Sequence, residues 1–190
     1  MSEKRRETSE TDIYAKLAIE GSGKSEIDTG VGFLDHMLDS FTRHSLMDMT
    51  IKCKGDLHID AHHTTEDIGI VLGSLLGESI YPLRGRERFG NAVAVMDETA
   101  ISCDIDMSNR AYLHYDLPLE GKAGEFDLEL IEEFFRAFVH NAPMTAHIHF
   151  IRGKNRHHIA EATFKAFALA LRRALAPNSR TETPSTKGVL

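Results

Sequence analysis

His62 and Glu66 stand four residues apart, and His157 and Glu161 repeat that spacing. A second histidine, His63 or His158, follows the first in each case, so the pentapeptides read HHTTE and HHIAE. In an α-helix, positions i and i+4 share a face, while i+1 points about 100° away. Each motif therefore offers an imidazole and a carboxylate to one centre and turns its second imidazole towards another. Imidazole plus carboxylate, without thiolate, is a ligand set for manganese, iron, nickel or zinc, and spacing alone does not choose among them. A lone helical histidine is normally solvated or hydrogen-bonded, but pairing, repetition and neighbouring carboxylates favour metal ligation. Two such motifs brought together would build two metal sites, each drawing on both halves. The order of residues is not that of the HExxH zinc proteases.

The composition sharpens this signal. Of eleven histidines, six fall in or beside two neighbourhoods: His58, His62 and His63, then His149, His157 and His158. A net charge of −7 argues against a general nucleic-acid or acidic-membrane partner. Apolar residues make up 42% of the chain, enough to bury a core without disulfides. Cys53 and Cys103 show no CxxC spacing and are expected to be free thiols in a reducing compartment. The opening MSEKRRETSETD lacks the apolar stretch of a signal peptide. No run approaches the roughly 18 apolar residues of a membrane helix. A soluble cytoplasmic protein is expected.

The elements that must position the motifs repeat as well. In the first half, TDIYAKLAIEG and KSEIDTG read as strands, GFLDHMLDSFTRHSLM as a helix, DMTIKCKGD as a strand, and the stretch from HHTTE onwards as a closing helix. In the second half, NAVAVMDETAISCDIDMS and RAYLHYDLP are strand-like, DLELIEEFFRAFVHNA is an amphipathic helix, TAHIHFIRGK is a strand, and the stretch from HHIAE onwards closes the half. Each half is thus β-β-α-β-α, with its motif at the start of the last helix. Asp60 and Asn155 lie two residues before each first histidine and are good helix N-caps. The expected fold is α+β: a duplicated unit with ferredoxin-like or ribosomal S5 domain 2-like halves, its two antiparallel sheets packed through a central helical layer. Residues 1–190 form one domain, with repeats at about 8–86 and 87–176. The polar tail, 177–190, reads as a flexible end.

TGVGFLDHML, GDLHIDAHHTTEDIGIVLG, ERFG, MDETAISCDIDMSNR, GKNRHHIAEATFKAFALALRRAL and PSTKG together resemble imidazoleglycerol-phosphate dehydratases of histidine biosynthesis. The resemblance runs from about Glu10 to Leu190 and implies the single-function form. It implies a hydro-lyase that converts imidazole glycerol phosphate to imidazole acetol phosphate with two manganese ions per active site. The hydrogen lost from C2 is not adjacent to a carbonyl, so a metal-bound imidazolate and a diazafulvene intermediate are implied, with the second ion acting as a Lewis acid.

The same resemblance implies roles for residues. One metal would take His36, His63, His157 and Glu161, and the other His62, Glu66 and His158. Glu133 stands where some relatives carry a further histidine ligand, before FF in the third helix. Arg88, Arg110, Lys165, Ser185, Thr186 and Lys187 would hold the substrate and its phosphate, with the tail ordered over the ligand. Glu10, Glu161 and His63 would be catalytic, with Glu10 as general acid or base handling a substrate proton. The implied assembly is a shell of twenty-four chains with sites at subunit contacts. His36 on its own reads as structural, as do His44, His58, His114 and His140. His147 and His149 share one side of a strand. Two rival readings are a non-catalytic metal-binding or storage protein and a di-iron helical bundle. The phosphate-ligand set argues against the first, and the strand-like segments argue against the second.

Overall fold

The computed structural model describes residues 1–180 and 182–188. Part of the expected tail, residues 181, 189 and 190, lies outside them. The first half runs β1 (Ser2–Glu7), β2 (Thr11–Ala18), β3 (Ser25–Asp28), α1 (Gly32–Ser45), β4 (Asp48–Gly55) and α2 (His62–Ile80). The second runs β5 (Phe89–Met96), β6 (Thr99–Asp106), β7 (Tyr112–Asp116), a small hairpin of β8 (Lys122–Ala123) and β9 (Phe126–Asp127), α3 (Leu130–Asn141), β10 (Thr145–Arg152) and α4 (Arg156–Ala174). The four-stranded sheets have orders β1-β2-β4-β3 and β5-β6-β10-β7. The α+β duplication therefore stands, and two features go beyond the expected unit. Each half opens with an antiparallel hairpin, β1-β2 or β5-β6. Each edge strand that precedes a helix pairs in parallel, β3 with β4 and β7 with β10. A strand–helix–strand connection brings its second strand back in the same direction, which accounts for the parallel pair.

Alternation makes one face of each sheet apolar. Ile13, Ala15 and Leu17 of β2 and Met49 and Ile51 of β4 are buried, as are Ala146 and Ile148 of β10. These faces lie against the helices, and the two helical layers meet through α1 on α4 and α2 on α3. Leu34, Met37, Leu38 and Phe41 form the buried stripe of α1 at spacings of three and four. Between the layers sits an aromatic cluster: Phe134 is 5.3 Å from Phe164, Phe135 4.9 Å from Phe167, and Phe138 6.1 Å from Phe41. Truncating one such ring to alanine costs about 3–5 kcal/mol.

Small residues set the helix spacing. Gly69, Gly73 and Gly77 make one stripe of α2, and a Cβ at Gly73 would sit 2.4 Å from the Phe138 carbonyl oxygen of α3. Among the described residues, no helix is long and apolar enough to cross a membrane. Cys53 and Cys103 are free and lie on different sheets, in β4 and β6. The tail is tied back along residues 84–88. Asn178 donates its N–H to the Gly85 carbonyl at 2.8 Å, Gly85 donates to Glu182 at 2.8 Å, and Arg88 Nη1 donates to the Pro184 carbonyl at 2.7 Å. Its described part is thus held by two backbone bonds and the Arg88 guanidinium, which its polar composition did not announce.

Candidate active site

Both motifs open their helices as the sequence predicts. Asn155 is the N-cap of α4, and its side chain accepts the N–H of His157 at 2.9 Å and of His158 at 3.4 Å. In α2 the N-cap is Ala61, and Asp60 sits one residue further out, accepting the His62 N–H at 2.7 Å. The packing of α1 on α4 sets His36 beside the second motif. His36 Nε2 lies 3.3 Å, and His157 Nε2 3.4 Å, from the same Glu161 carboxylate oxygen. The ligand atoms of these three residues are mutually within 4.8 Å. The other Glu161 oxygen accepts from Lys165 Nζ at 2.7 Å. Glu161 is buried; burial pushes its carboxyl up, but Lys165 and His36 outweigh that, leaving it below its ordinary value. Phe33 stacks edge-on against His157, with centroids 5.4 Å apart. His36, His157 and Phe33 line a groove of about 1260 Å³ that also takes in Lys122, Lys154 and Arg156.

The remaining motif histidines, His62, His63 and His158, each lie beside a carboxylate. His62 Nε2 is 3.8 Å from Glu66 one turn on. His63 Nδ1 is 2.9 Å from Asp56, and its Nε2 is 3.7 Å from Glu10. The Asp56 hydrogen bond, with the charge of Glu10, holds His63 more basic than usual, and the same bond to His63 holds Asp56 more acidic. His158 Nδ1 is 2.9 Å from Glu98. Glu98 also accepts the N–H groups of Asn155 at 2.8 Å and Lys154 at 3.1 Å, and these bonds hold its carboxyl well below the ordinary range. A carboxylate on Nδ1 fixes the imidazole tautomer and leaves Nε2 for a metal, the usual support of a ligating histidine.

Asp56 and Glu98 are thus partners of motif histidines that the spacing of the motifs does not reveal. Their signal was present but weak: Asp56 ends the KGD that closes β4, and Glu98 sits in the β5–β6 turn.

Within one chain, the expected ligands assemble only in part. His36, His157 and Glu161 come together, whereas His62, His63, Glu66 and His158 join no group of three or more metal-type ligands among the described residues. Glu133, in the first turn of α3, is half-buried and forms no ion pair among the described residues. Arg88 is already engaged: its guanidinium grips Asp106 at 2.7 and 3.1 Å as well as the tail carbonyl of Pro184. Its backbone lies in the left-handed region at φ 73°, pinned by bonds from its N–H to Ala174 and from Met107 to its carbonyl. Arg110 is exposed. Ser185 and Lys187 fall in a turn closed by the Gly188 N–H on the Ser185 carbonyl, and Thr186 is exposed between them.

The family model described as imidazoleglycerol-phosphate dehydratase matches residues 29–171. The chain belongs to the imidazoleglycerol-phosphate dehydratase family. It is 63% identical over 190 residues, 100% of both chains, to the imidazoleglycerol-phosphate dehydratase of Sulfurimonas denitrificans. It is 63% identical over 186 residues, 97% of this chain and 95% of the relative, to that of Campylobacter concisus. Among solved structures, the imidazoleglycerol-phosphate dehydratase of Staphylococcus aureus matches with TM-score 0.82 and 46% identity, over 93% of this chain and 98% of the other. The enzyme of Pyrococcus furiosus, solved in complex with (S)-C348, matches with TM-score 0.85 and 39% identity, over 98% of this chain and 100% of the other. Such likeness across the whole chain supports the fold and the family together.

Proposed function

We propose that this hydro-lyase removes water from D-erythro-imidazole glycerol phosphate to give imidazole acetol phosphate, working in the cytoplasm as a step of histidine biosynthesis. The observation that carries the reading is the His36–His157–Glu161 group, three metal-type ligands converging at the edge of a large groove. The donor set fits a divalent ion: two imidazoles and a buried carboxylate whose charge is retained. One ion would be held by His36, His63, His157 and Glu161, and a second by His62, Glu66 and His158, with Glu133 as a further carboxylate. Manganese, two ions per active site, would supply Lewis-acid charge where the substrate's imidazole and hydroxyls bind.

The chain's own residues supply the rest. Asp56 and Glu98 fix the ring orientation of His63 and His158 through their Nδ1 atoms. Lys165 keeps Glu161 ionised by standing 2.7 Å from it. Glu10, at the turn between β1 and β2, lies 3.7 Å from His63 and would take or return a substrate proton as the C2–H and C3–OH bonds break. The enol left by loss of water then becomes the ketone by gaining a proton on carbon. Arg110, Lys165, Ser185, Thr186 and Lys187 would bind the phosphate, with Arg88 anchoring the tail that carries three of them. Ligands divided among several places on one chain call for completion by other copies, in keeping with a shell of twenty-four subunits.

His62→Ala and His158→Ala test the assignment. Each should lose bound manganese, turnover and the large assembly together. A variant that keeps full metal content and full turnover overturns the ligand set.

A further inference from the structure

The outward face of the second sheet holds a histidine cluster that the proposed reaction does not use. β7 and β10 run parallel, with Asp116 opposite His149 and His114 opposite His147. Side chains alternate along each strand, so these four share one face, and Ala146 and Ile148 point the other way into the core. The ligand atoms of His114, Asp116 and His149 all lie within 4.8 Å of one another. The rings of His114 and His149 are 5.0 Å apart, and His147 flanks them at 5.5 and 5.9 Å. None of the three cluster residues takes part in an ion pair among the described residues.

The duplication provides an internal comparison. In the first sheet, β3 and β4 also run parallel, with Asp28 opposite Lys52 and Glu26 opposite Thr50. Register for register, Asp28 stands where Asp116 does, Lys52 where His149 does, and Glu26 where His114 does. There the Lys52 ammonium sits 2.9 Å from Glu26 and also feels the charge of Asp28. The first half thus fills this position with a built-in cation. The second half retains the carboxylate and replaces the other two groups with imidazoles, which are ligands for a cation from outside.

We propose that His114, Asp116 and His149 form a divalent-metal site, separate from the active site, that takes a borderline ion such as zinc. Two imidazoles and a carboxylate bind zinc at about 2.0–2.2 Å, which places tetrahedral ligands about 3.4 Å apart. Small side-chain rotations close the cluster to that size. Two nitrogens among three ligands favour zinc over magnesium or calcium, which prefer all-oxygen shells. β10 is bonded on both edges, to β6 and β7, so the positions of the ligand-bearing residues are fixed before metal arrives. His147 or water would complete the shell.

The test is zinc stoichiometry by equilibrium dialysis on the assembled, chelator-stripped protein. Wild type, His114→Ala, His149→Ala and the near-isosteric Asp116→Asn are compared, with elution volume and circular dichroism confirming the fold. The expected result is one zinc fewer per chain in the alanine variants and at least tenfold weaker binding at that site in Asp116→Asn. Manganese-supported turnover should stay at the wild-type level. Equal stoichiometry and affinity in all four proteins would overturn the site. The comparison reads metal rather than turnover, so it stands or falls independently of the dehydratase assignment.

Discussion

Asn155 joins local structure to the site, and its removal has a calculable effect. Its side chain accepts from the His157 N–H at 2.9 Å and, more weakly, from the His158 N–H at 3.4 Å, so one good cap bond and one long one hold the first turn of α4. Replacing such a cap by alanine costs about 1 kcal/mol. For a chain of 190 residues, that lowers the thermal midpoint by about 2–4 °C. If the turn frays without its cap, metal binding must also re-form it, and about 1 kcal/mol corresponds to roughly fivefold weaker metal binding. Asn155→Ala should therefore show both changes in differential scanning calorimetry of the stripped protein and in a manganese titration. Asn155→Ser keeps a capping oxygen and should recover most of each. An alanine variant indistinguishable from wild type, or a serine variant as weak as the alanine one, would refute the claim that this cap orders the motif.

Other predictions follow from single contacts. Gly73→Ala places a methyl against the Phe138 carbonyl of α3 and should destabilise by about 1–3 kcal/mol despite alanine's better helix propensity, whereas Gly32→Ala meets nothing within 4 Å and should be neutral or stabilising in the same thermal melts. Arg88→Ala releases Pro184 and should raise hydrogen exchange in residues 182–188 and raise KM more than it lowers kcat. Asp48 accepts the backbone N–H groups of Lys24 and Ser22, which hold its carboxyl below the ordinary 3.8. Its folded pKa is the lower one, so its stabilisation is complete above about pH 4 and fades as pH falls through the folded value. The gap in thermal midpoint between wild type and Asp48→Ala should accordingly be constant from pH 5 to 7 and close in acid.

Where the sequence was legible, periodicity was the reason. Leu34, Met37, Leu38 and Phe41 announce α1, and the alternation of Ile13, Ala15 and Leu17 announces β2. β1 was hidden because SEKRRE is charged on both faces. Its charged inward positions are Lys4 and Arg6, which reach Ser74, Glu78 and the buried Asp67 of α2. Inward charges on an edge strand discourage sheet-to-sheet pairing, and they also erase the apolar signal. The β5–β6 stretch read as one strand because its turn, at Asp97 and Glu98, lacks glycine; Asp97 adopts φ 49° without it. That oversight concealed Glu98, whose partner His158 lies sixty residues away in sequence. Spacing paired His62 with Glu66 and His157 with Glu161, because a helix makes those pairs local. His36 meets Glu161 only through the packing of α1 on α4, which spacing cannot show.

Turnover after metal exchange is the decisive measurement of metal-dependent dehydration by this chain. The assembled protein is stripped with chelator, divided, supplied with manganese or with buffer, and mixed with imidazole glycerol phosphate. Imidazole acetol phosphate formed only in the manganese sample is the predicted result. No product from a sample that carries two manganese ions per active site would contradict dehydration by this chain.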